Sequence, residues 1–258
     1  MDKNDKKMLF MLAIAVVVIA LLLLTVRNFL GTNGGVSFFT FFDNAGAGNA
    51  ISSFDKTKNY QLLINTSEGN ITVDLDTKAA PLLTKQFYDL SKQNFFNNSR
   101  VSGIDDSIGI FLGLDKNGMN SSVSTNQEIN AIDLGLNDEK VSSISSQLTQ
   151  HNENKYRTQD VNENSSKSLK EFNEKFFNIN YSSDVSSKRI KKYSIISQYS
   201  GTIGLRSEFI ITTTDNNRYL DGRKAHFGDI TSGSEVVDKI AKGSSSSITI
   251  NSISVTVK

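Results

Sequence analysis

The sequence predicts a mainly β domain carried behind an N-terminal membrane anchor. Three observations point there. Residues 8–26, MLFMLAIAVVVIALLLLTV, contain no charge over 19 positions. Ile71, Val73 and Leu75 alternate with Thr72, Asp74 and Asp76, the period-two pattern of a strand with one buried face. The other short apolar runs after residue 60 are set between turn residues, and two of them carry helical stripes, at Leu83–Leu90 and Val236–Ile240.

Composition narrows the function. The chain has 258 residues with 28 Lys+Arg against 27 Asp+Glu, so the basic excess of a general nucleic-acid binder is missing. With no Cys there is no disulfide framework, thiolate metal site or cysteine nucleophile. His151 and His226 are the only histidines, too few for a histidine metal cluster. No metal or cofactor is expected. The chain holds no G-x-S-x-G nucleophile elbow and no G-x-x-x-x-G-K-[ST] phosphate loop. Ser (34) and Asn (26) are abundant and apolar residues reach 38%, below the usual globular share of about 45–50%. Part of the chain is therefore expected to lie outside a core.

The apolar run has no polar face, unlike a surface helix of a soluble domain. Its length corresponds to roughly 28 Å of helix, close to the hydrocarbon thickness of a bilayer. Lys3, Lys6 and Lys7 precede it and Arg27 follows. The positive-inside rule then keeps residues 1–7 in the cytoplasm and sends the rest outside. A cleaved signal peptide is the competing reading. It would have a shorter apolar region ending in an A-x-A-like site, whereas Arg27-Asn28-Phe29 follows this run. An uncleaved single-pass anchor at 8–26 is the expectation. Residues 27–58, with Gly31-Thr32-Asn33-Gly34-Gly35 and Phe38-Phe39-Thr40-Phe41-Phe42, read as a linker.

The domain is expected over 59–258. Tyr60–Asn65 and Ile71–Leu75 flank Gly69-Asn70 and form a hairpin. The only proline, Pro81, opens a helix in which Leu83, Phe87 and Leu90 form the buried stripe. Short strands follow at Arg100-Val101 and Ile108–Leu112. Residues 115–199, rich in Ser, Asn, Gln and Lys, read as an insertion, partly loop and partly disordered, with a short helix at Leu169–Phe177. Strands return at Thr202–Leu205, Glu208–Thr213 and His226–Ile230. Ser234 is placed as the cap of a helix carrying Val236, Val237 and Ile240, ended by Gly243. The last strand, Ile248–Val257, changes phase between Ile250 and Ile253, which predicts a bulge near Asn251-Ser252.

This order resembles the cyclophilin family of peptidyl-prolyl isomerases. Three stretches carry the likeness, together about 110 residues: Asn65–Phe96 (NTSEGNITVDLDTKAAPLLTKQFYDLSKQNFF), Gly201–Gly243 (GTIGLRSEFIITTTDNNRYLDGRKAHFGDITSGSEVVDKIAKG) and Ile248–Lys258. The resemblance implies a closed eight-stranded antiparallel barrel capped by two helices, with the peptide groove on its outer face. It implies proline-containing polypeptides as partners.

Such an isomerase lowers a barrier of about 18–20 kcal/mol set by amide conjugation. It needs an apolar pocket for the proline ring and a donor or cation near the twisted prolyl nitrogen, which is electrostatic preorganisation with differential binding. Arg100-Val101 is similar to the Arg-Val of the family's Phe-His-Arg-Val strand, which makes Arg100 the candidate catalytic residue. Asn98-Ser99 replaces Phe-His. The family's Phe-Met-Ile-Gln-Gly-Gly-Asp resembles Gly109–Asp115, placing Ile110 and Leu112 in the groove, with Leu112 where the family has a glutamine. Ser-Gln-Phe-Phe-Ile resembles Ser207–Ile211, giving Phe209 and Ile210. Trp-Leu-Asp-Gly-Lys-His resembles Tyr219–Lys224, giving Tyr219, Leu220 and Lys224. Two functions stay open: an extracytoplasmic isomerase that assists folding, and a catalytically degenerate cyclophilin-like module that binds protein partners.

Overall fold

The computed structural model describes residues 54–124, 127–150, 167–198 and 205–258. The expected anchor at 8–26, the linker up to residue 53 and the start of the strand at Thr202 lie outside the described residues. Among the described residues, no helix is long and apolar enough to cross a membrane.

Eleven strands follow one another along these residues: β1 (Tyr60–Thr66), β2 (Gly69–Leu75), β3 (Ser99–Arg100), β4 (Gly103–Asp105), β5 (Gly109–Leu112), β6 (Ser122–Ser124), β7 (Ser194–Ser197), β8 (Leu205–Arg206), β9 (Phe209–Thr212), β10 (His226–Ser232) and β11 (Thr249–Val257). Four α-helices accompany them: α1 (Pro81–Lys92), α2 (Ser145–Gln150), α3 (Leu169–Phe177) and α4 (Ser234–Ala241). Nine strands make one curled antiparallel sheet in the order β3-β11-β1-β2-β10-β7-β9-β5-β4, and β6 pairs with β8 in a second sheet. The two edges of the large sheet, β3 and β4, are arms of one segment. Val101 N–H donates to Ile248 O on the β11 side, and Ser102 N–H donates to Phe111 O on β5.

Local chemistry accounts for the elements. Pro81 has no N–H to lose in the first helical turn, and α1 begins there. Its residues Leu83, Phe87 and Leu90 are buried. The Phe87 ring stacks on Phe96 and Phe227 with centroids 5.5 and 5.1 Å away, and meets Phe209 edge-on at 5.2 Å. That cluster joins α1 to β9 and β10 and lies in the core. On β11 the pairing steps from Asn65↔Ser252 to Thr66↔Ile250, so Asn251 is the extra residue of a bulge.

Several expectations change. The main sheet has nine strands where eight were expected, and among the described residues the two capping helices and the short helix expected at Leu169–Phe177 are joined by a fourth, Ser145–Gln150. Residues 194–197, inside the stretch read as an insertion, form β7 between β10 and β9, in the interior of the sheet. The described part of 115–199 also supplies core residues, among them Ile129, Leu136, Ile144, Leu169 and Phe172. Its polar composition hid a few apolar anchors spaced along loops. Ser234 is the first residue of α4, and Gly233, in the left-handed region at φ 86°, takes the cap position.

Candidate active site

Side chains alternate across a strand and cross-strand partners share a face. These two rules sort the candidate residues. Phe209 faces the core, as its contact with Phe87 requires. Leu112 is opposite Phe209 and Ile110 is opposite Ile211, and all four are fully buried. Ile110, Leu112 and Phe209, expected in a peptide groove, therefore pack into the core on the inner face of the curled sheet. The correction has a simple cause: a one-residue difference in register carries a side chain to the other face.

Ile210 lies on the opposite, outer face of β9. Its partners across the sheet are Phe111 on β5 and Ile196 on β7. Phe111 is half-buried, whereas Ile210 is only 1% exposed. Tyr219 and Leu220 belong to a 3-10 turn, Arg218–Leu220, and are buried. The Tyr219 N–H donates to Gln147 Oε1 on α2 at 3.1 Å, so part of the inserted stretch reaches this turn. Lys224 is half-buried and its Nζ donates to the Gln198 carbonyl.

Arg100 is exposed between two buried neighbours, Ser99 and Val101. Ser99 is opposite the buried Ile250, so Arg100 projects from the outer face. Just beyond it the segment bulges. Ser102 N–H donates to Phe111 O at 2.9 Å while Gly103 is also opposite Phe111, two residues against one. Ser102 Oγ then donates to Glu208 Oε1 at 2.7 Å. Glu208 immediately precedes Phe209, and alternation puts it on the outer face with Ile210. The backbone amide of Glu208 donates to Asn120 Oδ1 at 3.0 Å, and Asn120 Oδ1 also accepts from Ser207 Oγ at 2.8 Å. Gly113 closes the same corner: its φ is +101°, and a Cβ there would lie 2.1 Å from the Ser207 carbonyl oxygen.

The outer face thus brings together Arg100, Ser102, Phe111, Glu208 and Ile210. Sequence reading singled out Arg100 and Ile210 but passed over Phe111, Ser102 and Glu208. For Glu208 a signal existed, since it fills the glutamine position of the Ser-Gln-Phe-Phe-Ile pattern. Chemically, the face offers an exposed guanidinium, an aromatic surface and one acid. Among the described residues no group of three or more His, Asp or Glu could hold a metal ion.

Comparison with known proteins fits this architecture. A family model, Cyclophilin type peptidyl-prolyl cis-trans isomerase/CLD, matches residues 61–257. The chain belongs to that family, and these residues are its cyclophilin-type isomerase domain. Two crystal structures of a cyclophilin type peptidyl-prolyl cis-trans isomerase from Cryptosporidium parvum are similar to it. One shares 16% identity at a TM-score of 0.48, covering 78% of this chain and 99% of that one. The other, in the presence of the dipeptide Ala-Pro, shares 16% at a TM-score of 0.47, covering 77% and 99%. No curated protein matches the chain.

Proposed function

We propose that this chain is a single-pass membrane protein whose extracytoplasmic domain is a peptidyl-prolyl cis-trans isomerase that assists the folding of proline-containing chains. The observation that carries the reading is Arg100, a permanently charged, exposed guanidinium on the outer face, three residues before Gly103, which is opposite Phe111. Rotation about an X-Pro bond removes amide conjugation and leaves a pyramidal nitrogen with a free lone pair. A guanidinium held at that nitrogen favours the twisted state over either planar one, which lowers the barrier without a covalent step. Phe111 supplies apolar surface for the proline ring. On this reading the segment 99–105 is one bent strand, so the nine strands of the sheet count as eight and close as a ring. The anchor at 8–26 and the lysines before it set the orientation.

One observation favours the degenerate binding module instead. Ile210 and Leu220, the floor expected for a proline pocket, are 1% and 4% exposed. A proline-peptide isomerisation assay on the full chain in detergent, with Arg100→Ala beside it, separates the two. The isomerase reading expects acceleration by the wild type and its loss in the variant. No acceleration by the wild type leaves the binding module.

A further inference from the structure

The Glu208 carboxylate is unusual for its position. Glu208 is only 8% exposed, and its carboxylate accepts one hydrogen bond, from Ser102 Oγ. Among the described residues no Lys, Arg or His forms an ion pair with it. Buried acids are ordinarily paired or more fully hydrogen-bonded, because an isolated charge loses its hydration. The other acids in comparable burial follow that rule: Asp221 has Arg218 and the Ile190 N–H, and Glu128 has the Leu82 and Leu83 N–H groups. Glu208 has no such second partner among the described residues. It sits two residues from Ile210 on β9, about 7 Å along the strand, and is tied through Ser102 to the segment that carries Arg100.

We propose that Glu208 is a specificity-determining residue that selects peptides with a lysine or arginine next to the proline. A peptide laid across Phe111 with its prolyl amide at Arg100 brings a flanking side chain over Glu208. A cation there supplies the missing partner, and an anion meets repulsion in a poorly solvated corner. Ser102 holds Oε1, and Oε2 makes no hydrogen bond among the described residues. The proposal rests on the isomerase reading for its kinetic arm and on peptide binding alone for its second arm.

The test uses the full chain in detergent and two synthetic peptides that differ only in the residue before proline, Lys or Glu. The wild type is expected to turn over the Lys-Pro peptide with a kcat/KM about three- to tenfold higher, mainly through KM. Glu208→Gln retains an acceptor for Ser102 and is expected to bring the ratio close to one. Raising NaCl to about 0.5 M, where the screening length is near 4 Å, should compress the wild-type ratio in the same direction. Equal ratios in wild type and variant overturn the proposal. So does a uniform gain on both peptides in Glu208→Gln, which would mean that the acid restrains Arg100. If the variant does not fold, as read from its circular dichroism, the salt series on wild type decides alone. If the wild type accelerates neither peptide, the isomerase reading has failed by itself. Kd values for the same two peptides then decide the role of Glu208: a Lys-Pro preference that salt abolishes supports it, and equal affinities end it.

Discussion

Glu128 Oε1 accepts the backbone N–H of Leu82 at 2.5 Å, and Oε2 accepts that of Leu83 at 3.0 Å. The acid comes from 46 residues away and caps the first turn of α1, which has no side-chain cap of its own at Ala80. Free N–H groups at a helix start need such a partner. Burial pushes the Glu128 carboxyl from 4.5 up to about 7, against the pull of the two N–H groups. The folded protein therefore holds this proton more tightly than the unfolded chain does. The resulting contribution to stability is full below about pH 4.5 and is lost as pH rises through about 7. Glu128→Gln should flatten that part of the stability–pH curve, as measured by urea denaturation between pH 4.5 and 8.

The Arg100 side chain makes no hydrogen bond or ion pair among the described residues and is exposed. Surface substitutions of this kind change stability by no more than about 0.5 kcal/mol. Arg100→Ala should therefore melt with the wild type yet lose about a hundredfold in kcat/KM toward proline peptides, the usual scale for removing one electrostatic contact to a transition state. Arg100→Lys should recover only part, since a point charge replaces a planar fork. Parallel thermal melts and isomerisation rates check both statements.

How far the sequence reached depends on whether a signal is local. Pro81 and the Leu83–Phe87–Leu90 stripe are local, and α1 stands where they put it; the hairpin forms too, but its turn is Ser67-Glu68, and Gly69 and Asn70, expected as the turn, pair with Thr66 and Asn65 at the start of β2. The phase slip in the last strand is local too, and Asn251 is the bulged residue. By contrast, β7 is a four-residue strand, Ser-Ile-Ile-Ser, in a serine-rich stretch. Only its pairing with β9 and β10 distinguishes it from loop. The faces of Ile110 and Leu112 were equally illegible, because parity is fixed by the partner strand. Glu128 as a distant cap leaves no local trace.

Gly113 makes a sharp test of the corner that holds Glu208. At φ +101°, with a Cβ 2.1 Å from Ser207 O and 2.8 Å from Phe209 Cδ1, Gly113→Ala must push β5 from the start of β9. The expected cost is more than about 2 kcal/mol. Gly118→Ala is the control: its φ is +76° but nothing lies within 4 Å of the added atom, so about 1 kcal/mol of backbone strain is all it should show. Equal losses in chemical denaturation of the two variants would contradict the steric account.

Asp221 ties the segment before β7 to the turn before β10. Its Oδ1 accepts the Ile190 N–H at 2.8 Å, and its Oδ2 pairs with Arg218. Arg218 also holds Glu139, so two segments far apart in sequence converge on one 3-10 turn. Burial raises the Asp221 carboxyl above its ordinary value, and the Ile190 N–H and Arg218 only partly oppose this. The charged form is therefore held at a cost that the contacts must offset. Removing one partner of such a pair leaves the other uncompensated. Asp221→Asn should destabilise by about 3 kcal/mol. In Asp221→Ala, where the Ile190 N–H loses its acceptor, hydrogen exchange at that amide should also accelerate. Amides of β1 and β2 do not contact this turn and pair with each other. Their exchange should slow-track global stability, whereas Ile190 should open through the smaller, local event. If Ile190 and the β1–β2 amides accelerate by the same factor, this segment and the sheet unfold as one unit and Asp221 is not a local tether.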